Sequence, residues 1–148
     1  MLTILGFNVA MFDHCLYFNS SALARLAERE WATVYAQFGL TPAQGFVLRV
    51  VLASPRCLSS QVADTLGIAR PTATRLIDSL TQKKLVERRQ AESDGREWCV
   101  YPTRAGKALD RPINDASARV ARELRAKVGP DLFESAVSSM HGVRKALS

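Results

Sequence analysis

Between Arg70 and Arg75 the chain reads Arg-Pro-Thr-Ala-Thr-Arg, which places two guanidiniums and two short hydroxyls within six positions. Groups of this kind do not attack a bond or relay a proton; they offer hydrogen bonds at a defined reach. Wound into a helix, Arg70, Thr72, Thr74, Arg75, Asp78 and Ser79 lie opposite an apolar stripe of Ala73, Leu76, Ile77 and Leu80. Such a face suits the major groove of a duplex, where Thr and Arg reach base edges and phosphates. An ordinary solvated helix face has the same composition, so the flanking segments must decide between the two readings.

Those segments favour the groove. Leu58–Leu66 carries Val62, Ala63 and Leu66 on one stripe, and Gly67 can close that helix in a left-handed conformation. Ala63 and Gly67 lie four apart, a small residue where a second helix approaches and a glycine where the backbone turns, which marks a helix-turn-helix. The second helix starts near Arg70-Pro71, since proline in the first turn sacrifices no intrahelical bond. Ser59 and Ser60, at the start of the supporting helix, are placed to hydrogen-bond a phosphate backbone. Leu85–Gln90 and Trp98–Tyr101 are β-tolerant, and Asp94-Gly95 between them is a strong turn dipeptide. A hairpin directly after a recognition helix makes a winged helix. Its tip presents Arg96 to the narrow minor groove, with Asp94 able to hold the guanidinium.

The remaining elements must position this pair of helices. Asp13 caps a long helix running to about Phe38, with Leu16, Ser20, Leu23, Ala27, Trp31, Val34 and Phe38 in one seam and Gly39 at its end. Thr41-Pro42-Ala43-Gln44 is a capping box opening a second helix whose body, Phe46–Leu52, is apolar almost all round; Ser54-Pro55 stops it. After the wing, Thr103 caps a helix to about Val128, kinked at Pro112. Gly129-Pro130 starts a last helix with Phe133, Ala136, Val137, Met140, Val143 and Leu147 in line. This is more apolar helix than one winged helix can bury, so the outer helices are expected to form a twofold interface between two copies. That arrangement sets two reading heads one DNA turn apart.

Composition narrows the classes. A chain of 148 residues is one domain by length, with a formal charge of +6 and an isoelectric point near 9.7. Residues 70–104 hold eight basic side chains against five acidic, a modest footprint for a polyanion. Cys15, Cys57 and Cys99 are widely spaced and form no C-x-x-C pair, and neither His14 nor His141 has a partner at metal-binding spacing. No metal or cofactor is therefore expected, and a reducing cytoplasm fits. The opening MLTILGFNVAMF lacks the basic region of a signal peptide and is too short to span a bilayer, so no membrane is expected. An apolar tail of this sort is expected to dock on the domain or on a partner. No nucleophile elbow, Walker loop, dinucleotide fingerprint or H-E-x-x-H motif occurs, which argues against an enzyme.

From about Asp13 onward the chain resembles regulators of the MarR (multiple antibiotic resistance regulator) family. The resemblance is carried by Val62-Ala63, Leu66-Gly67-Ile68, Arg70–Asp78, Leu85–Arg88, Asp94-Gly95-Arg96 and Thr103–Gly106. It implies a dimeric winged-helix transcription factor, usually a repressor, that binds a palindromic operator and releases it on binding a small molecule or on oxidation. Ligands in this family are aromatic or phenolic and sit between dimer helices and reading head, where Trp31, Tyr35, Phe46 and Trp98 are candidate lining residues. Some members sense peroxide through one cysteine in the region of Cys15, although that pattern prefers a tyrosine at the place held by Asn19. Three positions depart from the family: Ala69 replaces a capping serine, Lys84 a glycine after the recognition helix, and Pro102 a leucine.

The expectation is therefore a single mainly α domain, residues 1–148, with a small β-hairpin wing. Residues 41–104 form the winged helix-turn-helix core, and 1–38 and 105–148 supply dimerisation helices. The expected partners are double-stranded DNA, a second copy and a small aromatic or phenolic effector. The DNA contacts are Ser59, Ser60, Arg70, Thr72, Thr74, Arg75, Asp94 and Arg96. Two alternatives stay open: a redox-sensing regulator of the same fold using Cys15, and a winged helix used only for protein contact.

Overall fold

The computed structural model describes residues 9–91 and 98–148. After a short 3-10 turn at Val9–Phe12 come α1 (Leu16–Tyr35), a second 3-10 turn (Ala36–Phe38), α2 (Pro42–Ala53) and β1 (Cys57–Leu58). These are followed by α3 (Ser59–Leu66), α4 (Arg70–Gln82), β2 (Val86–Gln90) and β3 (Trp98–Pro102). The chain ends with α5 (Arg104–Ala108), α6 (Asp110–Val128) and α7 (Pro130–Leu147). The strands form an antiparallel sheet in the order β1-β3-β2.

The centre is α2, as its apolar sequence requires. Its capping box is formed: Thr41 Oγ1 accepts from Gln44 N at 3.2 Å and Gln44 Oε1 accepts from Thr41 N at 3.0 Å. Val47, Leu48 and Val51 are fully buried against Ala73, Ile77 and Leu80 of α4, Val62 of α3, Val100 of β3 and Ile113 of α6. Burying a side chain of this size stabilises the fold by about 1.5–3 kcal/mol. Tyr35, also fully buried, lies against Gly45, where a Cβ would come within 2.3 Å of the ring. No larger residue fits there.

The hairpin is paired from Val86↔Pro102 to Gln90↔Trp98, and β1 adds Cys57↔Val100 and Leu58↔Cys99. β1 was not anticipated, because a two-residue strand has no alternation to read. Pro102 ends the ladder, where a missing N–H costs no central bond. Thr103 then ties the neck of the hairpin, its hydroxyl donating to Lys84 O at 2.7 Å while accepting from Gly106 N at 3.0 Å. Lys84, which stands where the family has a glycine, has φ 59° in the left-handed region.

Two boundaries differ from the sequence reading. Asp13 does not cap α1; the cap position is Cys15, which makes no side-chain capping bond. The chain before the helix is instead gathered by Asn19, whose amide donates to Asp13 O at 2.8 Å and to Cys15 O at 3.0 Å. The helix opened by Thr103 is divided at Leu109, not kinked. Pro112, third residue of α6, has no N–H for the Ala108 carbonyl, and a first helical turn is where that loss goes unfelt. The chain therefore stops one helix and begins another.

The outer elements are α1, α6 and α7. Packed against the core they bury Tyr35, Ile113, Ala116 and Val120, but α7 has no buried residue at all. Among the described residues, no helix is long and apolar enough to cross a membrane.

Candidate nucleic-acid interface

The helix-turn-helix is set by a tight turn between α3 and α4. Gly67 is left-handed at φ 64°, and Ile68 N donates to Ala63 O at 3.0 Å, pinning the turn to the last coil of α3. Ala63 is buried, so α4 can cross closely over it. Gln61 Oε1 accepts from Leu58 N at 2.8 Å and anchors the start of α3. Ala69 occupies the N-cap of α4 and offers no side-chain acceptor, as its residue type requires.

Arg70, Thr72, Thr74 and Arg75 are all exposed on the outer face of α4. Ser59 and Ser60, at the start of α3, are half-buried. Ser59 Oγ and Thr74 Oγ1 lie 3.3 Å apart, so the hydroxyls of the two helices meet at one edge of the face. The other polar residues that helical spacing assigns to this face are held elsewhere. Asp78 Oδ1 accepts from Arg88 Nη1 of β2 at 2.8 Å. Ser79 Oγ accepts from Gln44 Nε2 of α2 at 2.7 Å. Both fasten α4 to the sheet and to α2. The exposed remainder is basic and hydroxylic, and withdrawal of Asp78 into an ion pair lessens its repulsion of an anion.

Beside this face lies β2. Arg88 is committed to Asp78, and Arg89 pairs with Glu87 while its guanidinium lies 4.8 Å from the centre of the Tyr101 ring. The sequence reading missed these strand arginines as supports, since nothing in the local pattern shows β2 folding back beside α4. Asp94 and Arg96, expected from the sequence at the wing tip, lie outside the described residues.

Two concavities flank the joint between this head and the outer helices. A cleft of about 890 Å³ is walled by Phe46, Arg49, Arg56, Asp64, Asp110 and Asn114 among others. A smaller apolar groove of about 330 Å³ runs between Trp31 of α1 and Phe46 of α2. Of the aromatics weighed from sequence, Trp31 and Phe46 line a concavity, Tyr35 is core, and Trp98 is exposed on β3. Cys15 is exposed at the head of α1, whereas Cys57 and Cys99 are buried in the sheet, where burial pushes the Cys57 thiol up.

Fold and surface together define a winged helix-turn-helix protein carried on long outer helices. A family model described as the MarR family matches residues 38–97, spanning α2 to the wing. Over these residues the chain is similar to that family, and the match takes in less than half of its length. It is similar to the transcriptional repressor CouR bound to a 23-mer DNA duplex, at 26% identity and a TM-score of 0.80 over 88% of this chain and 93% of that one. CouR bound to p-coumaroyl-CoA superposes with a TM-score of 0.82 at 22% identity, over 93% and 97% of the two chains. The S. aureus MepR–DNA complex matches with a TM-score of 0.78 at 18% identity, over 88% and 97%. No curated protein sequence gives a significant match.

Proposed function

We propose that the chain is a cytoplasmic repressor that grips a palindromic operator as a homodimer and releases it when a small aromatic effector binds. The observation that carries this reading is the outer face of α4. Four groups able to read a duplex stand exposed there, while Asp78 and Ser79 of the same helix are tied inward. Thr72, Thr74 and Arg75 then contact base edges, Arg70 a phosphate or base, and Ser59 and Ser60 the backbone. Arg96, steadied by Asp94, enters the minor groove. The second copy is supported by the exposed apolar residues of α1 and α7, and the effector by the concavities at Trp31 and Phe46. That CouR is a repressor with both DNA-bound and p-coumaroyl-CoA-bound forms lends support by likeness.

The test is fluorescence anisotropy on a palindromic duplex selected by the protein from a random library. Arg75→Ala is expected to weaken binding by roughly 1–3 kcal/mol and to relax preference at one base pair in each half-site. An unchanged affinity with unchanged preference refutes the assignment. A redox variant of the same reading is favoured by the exposure of Cys15. Peroxide that lowers operator affinity in the wild type and not in Cys15→Ser would establish it.

A further inference from the structure

We infer that Arg49 is a positioning residue that fixes the angle between the reading head and the outer helices, and so sets the half-site spacing the protein accepts. The inference rests on the dimeric, palindrome-binding reading above.

Arg49 leaves the middle of α2, the central helix of the head, and its guanidinium reaches two outer helices at once. Its Nε donates to Asn114 Oδ1 of α6 at 2.8 Å, and its Nη1 to Ser117 Oγ of α6 at 3.0 Å. The same Nη1 lies 3.5 Å from Tyr35 Oη of α1. The group also stacks over Phe46, 5.0 Å from the ring centre. Its acceptors are themselves fixed. Asn114 Nδ2 donates to Asp110 O at 2.9 Å and to Asp110 Oδ1 at 2.8 Å, which turns the amide oxygen toward Arg49. Ser117, itself buried, also accepts from Trp31 Nε1 of α1 at 3.0 Å.

None of these acceptors is a carboxylate. An ion pair would hold the two bodies together with little directional demand, whereas a planar guanidinium bonding neutral acceptors constrains direction strongly. The rest of the joint, including Val47, Val51 and Ile113, is apolar, and apolar contact is non-directional. Such a surface sets no hydrogen-bond direction of its own, which leaves directional control of the angle to the Arg49 network. In a twofold dimer a rotation at this joint moves both recognition helices relative to each other. One base pair added between half-sites asks for about 3.4 Å and roughly 34° of relative movement.

The experiment uses the library-selected palindrome and two derivatives with one base pair inserted or removed at its centre. Wild type is expected to bind the altered duplexes about 30-fold or more weakly, the cost of misplacing one half-site's contacts. Arg49→Met keeps the stem and loses the fork, so its penalty should shrink to about 5-fold or less. Arg49→Lys keeps the charge without the fork and should resemble Arg49→Met, which separates geometry from charge. Asn114→Ala, which removes an acceptor from the other side, should also narrow the penalty, and it decides the matter if the Arg49 variants fail to fold. A penalty equal to that of wild type in the folded variants overturns the inference and leaves the palindrome reading intact. A wild type with no spacing penalty overturns that reading, and the inference with it.

Discussion

The reading head and the outer helices obey the same apolar spacing, yet only the head closes on itself. In the head, the stripe residues Ala73, Ile77 and Leu80 of α4 are fully buried, as are Val47, Leu48 and Val51 of α2. Along α7 Phe133 and Ala136 are only half-buried and the rest of the seam stays open, with Met140 46% and Leu147 78% exposed. On α1 the seam is half-buried from Ala27 to Phe38 and exposed at Leu16 and Leu23. A period of three and four says that a helix face seeks apolar cover without saying which chain supplies it. The head finds that cover within the chain. For the outer helices a second copy is the proposed source.

The largest expected effect attacks that difference directly. Met140→Glu combined with Val143→Glu places two carboxylates on a face that is open in the single chain, so the isolated fold should tolerate them. Across an interface they would be buried without partners, at a cost of several kcal/mol. Sedimentation should show a monomer, and operator affinity should fall by about 100-fold or more, since one head keeps only half the contacts. Far-UV circular dichroism should be unchanged. A double variant that still sediments as a dimer and still binds would place the interface elsewhere.

In the head the sensitive point is a backbone contact. A Cβ at Gly106 would stand 2.1 Å from the carbonyl oxygen of Leu85, beside the bond from Thr103 N to that same oxygen at 3.1 Å. Neither partner is the flexible end of a side chain. Gly106→Ala should therefore lower stability by about 1–3 kcal/mol, read from urea unfolding, and by a similar amount at every protein concentration. Strong concentration dependence of that loss would mean that the head is not closed by its own chain.

How far the sequence could be read follows the same division. Signals confined to a few residues were legible: the Thr41–Gln44 box, left-handed Gly39 and Gly67, the Thr103 cap, and Lys84 at positive φ. Signals that depend on what folds back were not. Helical spacing assigned Asp78 and Ser79 to the reading face, because it cannot know that Arg88 and Gln44 arrive beside them. Pro112 within an apolar repeat is equally compatible with a kink and with a fresh start. Arg49 sits between Leu48 and Val50 in an apolar run, and only its neighbours on α1 and α6 give it a task. Arg70, Thr72, Thr74 and Arg75 needed no such knowledge, because their face is defined by what it leaves open.

A smaller effect concerns the start of α4, which lies on the proposed DNA face and lacks a cap. Ala69 has the extended backbone of an N-cap, with φ −63° and ψ 141°, and no side-chain oxygen. Ala69→Ser should raise stability by about 1 kcal/mol in urea unfolding, by giving an acceptor to a free N–H of the first turn. No gain would mean that another group already satisfies that donor.

The cysteines give the mildest way to sharpen the contrast. Cys15, on the outer element, is exposed; Cys57 and Cys99 lie buried in the head's sheet. Iodoacetamide at neutral pH should label Cys15 alone in the folded protein and all three in denaturant. Burial, the largest cause, raises the Cys57 thiol above its ordinary value of 9.0, with Cys99 adding a smaller push and a backbone hydrogen bond opposing. A thiol raised on folding holds its proton more tightly in the native state. Its contribution to stability is therefore complete below the unfolded value and lost as pH climbs through the raised native one. Cys57→Ala should flatten that alkaline decline. A decline as steep in Cys57→Ala as in the wild type would mean that the sheet does not shield its thiol as the buried position of Cys57 implies.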